Sequence, residues 1–201
     1  MVKTIIFDLG NVIVPFDFKR AYARMEALSP YAAAEILTRL RATDLVNRFE
    51  TGRIGAEGFV SELSRMLELK TTHREFYDVF NCIFLPEPLL PESLLIALRE
   101  RYRLLLLSNT NPIHFEMIER TYPLLRHFHH SVLSYQVGAA KPSPQIYEEA
   151  LLRAECGPDE CVFFDDIAAY VEAARGAGID AVQFQSAGQV EEELRRRGVT
   201  W

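Results

Sequence analysis

The sequence has no apolar run approaching the roughly 20 residues that a helix needs to cross a bilayer, so no membrane span is predicted. Its 22 basic residues against 28 acidic ones give a net charge of −6, and such a surface repels nucleic acid and anionic membranes. Three cysteines without a C-x-x-C pair argue against a disulfide framework or a zinc site. The N-terminus reaches a carboxylate at Asp8, too early for a secretory signal. These absences predict a cytoplasmic protein without a membrane or nucleic-acid partner.

What the sequence does contain is a series of short apolar runs, each followed by polar residues. Runs that are apolar on both faces are typical of buried parallel strands. From residue 91 to the end, helical patterns alternate with these runs, which is the pattern of an open α/β sheet. We therefore predict a Rossmann-like open parallel sheet flanked by helices. The predicted strands are residues 4–7, 104–107, 132–135, 161–164 and 181–184.

One stretch near the N-terminus breaks the alternation of strands and helices. Residues 17–85 carry helical patterns and no convincing strand, and Thr72 and Glu75 form a capping-box pair that opens the last of these helices. The pattern predicts a four-helix cap inserted after the first strand. The expected domains are an α/β core made of residues 1–16 and 86–201, and a helical cap made of residues 17–85.

Polar residues follow four of the predicted strands, where an open parallel sheet binds its ligands. Three of these residues are carboxylates, which stay ionised together only beside a cation, and an all-oxygen cluster suits Mg²⁺. Lysine, serine and asparagine can hold the oxygens of an anion, and a carboxylate can attack phosphorus when a metal screens the charges. A helix N-cap explains any one of the carboxylates alone but not all four places together. The sequence thus predicts a magnesium site for a small phosphorylated molecule, formed by Asp8, Ser108, Asn109, Lys141, Asp165 and Asp166.

Four motifs, in this order, resemble those of the haloacid dehalogenase superfamily, and most closely those of its small bacterial phosphatases acting on sugar 1-phosphates such as α-D-glucose 1-phosphate. The resemblance covers nearly the whole chain and includes the helical insertion. It implies a Mg²⁺-dependent phosphatase of small phosphorylated metabolites, expected to be a monomer or homodimer. The motifs are Phe7-Asp8-Leu9-Gly10-Asn11-Val12, Leu107-Ser108-Asn109-Thr110, Lys141-Pro142-x-Pro144-x-Ile146-Tyr147 and Phe163-Phe164-Asp165-Asp166.

Residue roles follow from the same resemblance. It implies that Asp8 is the nucleophile and forms an aspartyl-phosphate, and that Asp165 is an outer or alternative metal ligand. The implied metal ligands are the Asp8 carboxylate, the Gly10 carbonyl and Asp166. The implied phosphate-binding residues are Ser108, Asn109 and Lys141.

Two positions depart from the pattern of the superfamily. Most of its phosphatases have a second Asp two residues after the nucleophile, acting as general acid and base, whereas this chain has Gly10, as does the sugar-1-phosphate branch. Tyr170 stands where the fourth motif usually has Asn or Asp. Two alternatives therefore stay open: a 2-haloacid dehalogenase, which uses the same nucleophile without metal, and a non-catalytic protein that binds a phosphorylated metabolite.

Several further side chains are candidates for lesser roles. Asp17 could replace the missing acid, although a helix N-cap is the favoured interpretation, and His114 could line the pocket. A metal cluster of histidines near residue 129 is disfavoured against a polar loop. A turn-like stretch of the cap could face the active site or be solvated, with Arg48, Glu50 and Arg53 as its charged residues.

Overall fold

A five-stranded parallel sheet with the order β3-β2-β1-β4-β5 forms the centre of the protein, seen in a computed structural model that describes residues 1–201. The predicted open parallel sheet is confirmed. Its first strand lies in the middle, between the second and the fourth. The strands are β1 (Thr4–Phe7), β2 (Arg103–Ser108), β3 (His130–Leu133), β4 (Cys161–Asp165) and β5 (Asp180–Gln183).

Both faces of the sheet are covered, which explains why the central residues of its inner strands are apolar on both faces. Successive side chains of a strand point to opposite faces, so Ile5 and Phe7 join one cluster of buried residues and Ile6 joins another. The helices after residue 91 are α6 (Glu92–Arg99), α7 (Pro112–Thr121), α8 (Ser134–Val137), α9 (Pro144–Ala154), α10 (Ala168–Gly176) and α11 (Ala187–Arg196). Helices α6, α7 and α11 contribute to the first cluster, while α9 and α10 contribute to the second.

The predicted bounds of four strands were wrong: β2 is longer than the predicted 104–107, β4 extends to Asp165, and the third and fifth strands begin and end earlier than predicted. The strand predicted for residues 132–135 ends at Leu133, because its partner β2 ends at Ser108, the residue opposite Leu133. Ser134 begins α8 instead, and its hydroxyl exchanges hydrogen bonds with the backbone of Thr110 at 2.9 and 3.0 Å. The last strand lies one residue earlier than the predicted 181–184.

Five helices lie between β1 and β2, one more than predicted. The additional helix is α3, a six-residue helix in the stretch that the sequence pattern indicated to be a turn. Six residues make fewer than two helical turns, too few to show a 3.6-residue period. The five are α1 (Phe18–Glu26), α2 (Ala33–Arg41), α3 (Leu45–Glu50), α4 (Ala56–Met66) and α5 (His73–Asn81).

This helical layer has a hydrophobic core of its own, separate from the two clusters on the sheet. Its 13 buried residues come from the insertion except for Ile113 of α7, and the rings of Phe49 and Phe59 stack at its centre, 4.1 Å apart. The chain enters and leaves the layer side by side, because the Asp17 amide donates to the Ile83 carbonyl at 2.9 Å. None of the helices in the protein is long and apolar enough to cross a membrane.

Candidate active site

The centre of the site is a buried ion-pair network at the carboxyl ends of β1 and β4. Phe7 pairs with Phe164 in the sheet, so the next residues, Asp8 and Asp165, lie side by side. Between them, Lys141 Nζ donates to Asp8 Oδ1 at 2.7 Å and to Asp165 Oδ2 at 2.6 Å. Its third proton goes to the Leu107 carbonyl at 3.0 Å. All three donors of the ammonium are therefore used, which fixes its position between the carboxylates.

The charges of this network shift one another's protonation. Burial raises the pKa of Asp8 above its usual value, and the nearby Asp165 adds to the shift, although Lys141 acts against it. Burial alone would lower the pKa of Lys141, but Asp8 and Asp165 outweigh that effect and raise it. The lysine is therefore a permanent cation, whereas the two carboxylates compete for a single positive charge.

A third carboxylate makes the site strongly negative. Oxygens of Asp8, Asp165 and Asp166 lie within 4.8 Å of one another, and Asp166 is only partly buried. Burial, and then the charge of Asp165, raises the pKa of Asp166. Three carboxylates face one ammonium here, and such an excess of negative charge in a buried place is stabilised by a cation. These residues therefore fit the predicted Mg²⁺, whose preferred ligands are oxygens.

The turn after Asp8 presents the predicted backbone ligand. Asn11 adopts a left-handed conformation with φ 54°, and its side-chain oxygen accepts a hydrogen bond from the Phe16 amide at 3.2 Å. The Gly10 carbonyl accepts none of the backbone hydrogen bonds of the chain. A side chain at residue 10 would collide with the ring of Phe16, because a Cβ there would lie 2.5 Å from Cε1. The place of the usual general acid is thus filled by an aromatic ring.

The predicted phosphate-binding residues follow β2. Ser108 is buried at the end of that strand. The Asn109 side chain holds the Lys141 segment: it accepts from the Lys141 amide at 2.7 Å and donates to the Lys141 carbonyl at 2.9 Å and to the Tyr170 hydroxyl at 3.3 Å. Tyr170 therefore takes part in orienting the lysine. The direct contact of Asn109 with phosphate stays a prediction, since its amide is engaged with these partners.

Two adjoining cavities open above the strand ends. A small one of about 60 Å³ is lined by Gly10, Ser108 and Asn109 among others. A larger one of about 500 Å³ lies within the helical layer and is mostly apolar. Both are lined by Phe18, Glu50, Ile83 and His114. Because the two cavities share these lining residues, they lie next to each other. A phosphorylated molecule therefore has room for its phosphate in the small cavity and for its remainder in the large one.

His114 connects the sheet layer to the helical layer. Its ring stacks on Phe80 of α5, with centroids 4.2 Å apart. Nε2 lies 3.2 Å from the Phe80 carbonyl, and Nδ1 lies 3.0 Å from the side-chain amide of Asn111. Burial lowers the pKa of His114 to about 4, although the Phe80 carbonyl acts against the shift. The imidazole is therefore neutral and lines the pocket, as the sequence had allowed.

Most of the other candidate residues lie away from the buried ion-pair network. Asp17 is the exposed N-cap of α1 and accepts from the Lys19 amide at 2.9 Å, so the capping interpretation is confirmed. The histidines near residue 129 form no group able to hold a metal. Arg48 pairs with Glu62 at 3.1 Å, and Arg53 donates within its own turn. Of the charged residues in that stretch of the cap, Glu50 alone lines the cavities.

Glu50 and Phe16 are the features of the site that sequence patterns left undecided. Glu50 ends α3, the helix that was not predicted. Its only signal in the sequence is its place in a charged turn, which equally fits a solvated loop. Phe16 gives no signal, because an aromatic residue near the first strand is typical of ordinary core packing.

Comparison with known proteins places this geometry in a family. The family model for haloacid dehalogenase-like hydrolases matches residues 2–178. The D-ribitol-5-phosphate phosphatase of Bacteroides thetaiotaomicron is 28% identical over 96% of this chain and 97% of its own length. The phosphorylated carbohydrates phosphatase of Thermotoga maritima is 32% identical over 90% of this chain and 84% of its own.

A solved structure gives the same result for the fold. The structure of a haloacid dehalogenase family enzyme from Bacteroides thetaiotaomicron, in complex with magnesium and inorganic phosphate, superposes with a TM-score of 0.84. It is 25% identical in sequence, over 92% of this chain and 96% of that one. The predicted fold, superfamily and type of enzyme are confirmed. The chain belongs to the haloacid dehalogenase-like hydrolases.

Proposed function

We propose that this hydrolase is a Mg²⁺-dependent phosphatase of small phosphorylated carbohydrates that works through an aspartyl-phosphate on Asp8. The observation that carries the proposal is the arrangement of Asp8, Lys141 and Asp165, joined by hydrogen bonds of 2.7 and 2.6 Å at the ends of two adjacent strands. The small cavity, lined by Gly10, Ser108 and Asn109, and the larger one that shares lining residues with it offer room for a phosphate ester. The relatives named above, whose names describe phosphatases of carbohydrate phosphates, support the substrate class.

The metal would be held by the carboxylates of Asp8 and Asp166 and by the free carbonyl of Gly10, with Asp165 in support. When bound, Mg²⁺ screens the charge between nucleophile and phosphate and polarises the phosphoryl group. The structure with magnesium and phosphate from Bacteroides thetaiotaomicron supports this choice of ion. The negative excess of the site, three carboxylates against one ammonium, is the reason that a dication suits these residues.

The chain's own residues perform the transfer. A carboxylate oxygen of Asp8 attacks phosphorus, the bond to the leaving oxygen breaks, and the phosphoryl group stays on Asp8. Lys141 balances the negative charge of nucleophile and phosphoryl oxygens, while Ser108 and Asn109 bind those oxygens. Water then attacks the phosphorus of the aspartyl-phosphate, which releases inorganic phosphate and restores the carboxylate.

The proposal includes different roles for two domains. Residues 1–16 and 86–201 form the core that carries out the reaction, and residues 17–85 form a cap that covers the site. A hydrophobic core within the helical layer supports this division. Closing the cap excludes water during transfer to Asp8. The cytoplasmic location, the monomeric or homodimeric state and the preference for sugar 1-phosphates stay predictions of the sequence.

Phosphate release from ribitol 5-phosphate and from α-D-glucose 1-phosphate, measured with Mg²⁺, tests the function. Asp8→Asn should lower turnover at least about 10⁴-fold, because the attacking group is lost. Asp78→Asn, an exposed substitution on α5, is the matched control and should keep wild-type activity. A chelator should stop phosphate release and added Mg²⁺ should restore it.

The two alternatives give different results in the same assays. Halide release from a 2-haloacid without metal would identify a dehalogenase. Binding of phosphorylated sugars without any phosphate release, by a protein that still binds Mg²⁺, would identify a non-catalytic binder. Near-normal activity of Asp8→Asn would contradict the proposed nucleophile.

A further inference from the structure

The leaving group needs a proton that the core of this protein does not supply. The residue two positions after Asp8 is Gly10, and the ring of Phe16 occupies the space that a side chain there would need. Asp17, the nearest acidic residue along the chain, is exposed and caps α1. Lys141 and Asp165 are locked together by hydrogen bonds. A proton donor for the leaving oxygen must therefore come from elsewhere in the site.

Glu50 is placed where such a donor is needed. It is the one carboxylate that lines either of the two cavities, and it lines both. It consequently stands at the junction between the phosphate end of the site, lined by Ser108 and Asn109, and the cavity for the rest of the molecule. With its phosphate in the small cavity and its remainder in the large one, a substrate would have its scissile bond at that junction. The Glu50 carboxyl forms no ion pair, and burial is the sole cause of the shift in its pKa.

The local backbone fixes Glu50 at this junction. Directly after α3, Gly52 packs so closely on the sheet layer that a Cβ would lie 2.2 Å from the carbonyl oxygen of Tyr135. Its φ of +67° also favours glycine. The Thr51 hydroxyl and amide both donate to the Asn47 carbonyl, at 2.6 and 3.0 Å. The end of α3 is thus held against the core by contacts that do not use the Glu50 side chain.

We propose that Glu50 of the cap is the general acid and base of this enzyme, a role that rests on the phosphatase function proposed above. As Asp8 attacks, the bond between phosphorus and the leaving oxygen breaks, and that oxygen takes the electron pair and the proton of the Glu50 carboxyl. In the second step the Glu50 carboxylate accepts a proton from the water that attacks the aspartyl-phosphate. Glu50 is then protonated again and Asp8 is free, so that protons balance over the cycle.

The protonation of Glu50 agrees with this role. Burial raises the pKa of Glu50 to about 7, so the acid form is present near neutral pH, where general acids work best. The titratable groups around it are His114 on α7, Arg41 and Tyr22 at the larger cavity, and Tyr170 on α10. His114 is neutral and its ring nitrogens face Phe80 and Asn111, which leaves Glu50 as the acid of the pocket.

A pair of substrates that differ mainly in their leaving groups tests the assignment. Phenol is a weaker acid than p-nitrophenol, so phenyl phosphate depends on protonation of its leaving oxygen far more than p-nitrophenyl phosphate does. Glu50→Gln should lower turnover of phenyl phosphate by about 10²-fold or more, and that of p-nitrophenyl phosphate by less than about fivefold. The wild-type rate for phenyl phosphate should fall as pH rises above about 7, the pKa of Glu50, and the variant should lack this fall.

Controls separate this inference from the phosphatase function itself. Glu57→Gln, an exposed carboxylate of the neighbouring helix, should leave both substrates unaffected. Activity of Glu50→Gln on p-nitrophenyl phosphate shows that the variant is folded. Equal losses on both substrates, or an unchanged ratio, would overturn the role of Glu50 while Asp8→Asn still tests the nucleophile. If the wild type releases phosphate from no ester, the phosphatase function fails instead.

Discussion

The two ends of the active site are built on opposite physical principles. At the sheet end, charged groups are crowded and paired, with Lys141 within 2.7 Å of both Asp8 and Asp165. At the cap end, a cavity of about 500 Å³ is mostly apolar and holds one carboxyl without an ion-pair partner. Paired charges stay fixed, whereas an apolar wall accepts molecules of varied shape. Under the proposed function, phosphate recognition is built into the core, while the cap selects the rest of the substrate.

The largest effect expected from this contrast comes from removing the central cation of the core. Lys141→Met leaves buried carboxylates without a partner, so in a chelator at pH 8 we expect a loss of about 3–5 kcal/mol in the free energy of unfolding. Arg48→Met removes a partly exposed pair of the cap with Glu62 and should cost less than about 1 kcal/mol. Urea unfolding measures both. Similar losses in the two variants would contradict the comparison.

The core end of the site could be predicted from the sequence because parallel strands bring their carboxyl ends together. Strand β1 was predicted at its observed bounds, and Asp8, Asp165 and Lys141 do converge. The strand pattern is local, and the parallel arrangement of the strands follows from their alternation with helices. The local pattern of strands and helices was therefore enough to predict that these three side chains lie close together.

The cap end could not be predicted in the same way. Which residues face the site depends on how five helices pack together, and periodicity identifies an apolar face without identifying what it contacts. Helix α3 was missed because it is short, and Glu50 lies at its end. At the core end, the hydrogen bonds by which the Asn109 side chain holds the Lys141 segment were not predicted either. Such secondary contacts depend on the relative placement of loops from distant parts of the sequence.

A smaller effect, on the pH dependence of the free energy of unfolding, is expected from His114, which lies where the two layers meet. Its pKa in the folded protein is lowered by burial to about 4, against 6.5 ordinarily. Between pH 6.5 and 4 the unfolded chain therefore takes up a proton on His114 that the folded chain does not. This makes the protein less stable as pH falls through that range. The free energy of unfolding should be about 2 kcal/mol lower at pH 5 than at pH 7 from this residue.

The substitution His114→Gln isolates this contribution. Asp8 and Glu50 have raised pKa values and act in the opposite sense, so the quantity to compare is the change in unfolding free energy between pH 7 and 5 in each protein. The variant should lose about 2 kcal/mol less than the wild type over this range. An identical pH dependence would show that the pKa of His114 is the same in the folded and the unfolded protein, and would contradict the prediction.

The smallest expected effect concerns the cavity wall. Ala21 lines the large cavity from α1, and Ala21→Leu would fill part of it. We expect KM for a phosphorylated sugar to rise about tenfold, since a few methylene groups in a pocket are worth about 1–3 kcal/mol. Acetyl phosphate, whose leaving group is small, should be affected much less. Ala34→Leu, on an exposed face of α2, is the control and should change neither value.

The contact between Gly10 and Phe16 has a consequence for how enzymes of this kind can change. An Asp introduced at residue 10 would meet the aromatic ring at 2.5 Å, so that substitution alone would damage the turn that carries Asp8. A smaller residue at position 16 would have to come first, although by itself it would only leave a void beside Phe18 and Phe84, which pack on the Phe16 ring. The two positions are thus epistatic: the order in which they mutate decides whether an intermediate sequence is functional. A proton donor in the cap offers a route that avoids this barrier.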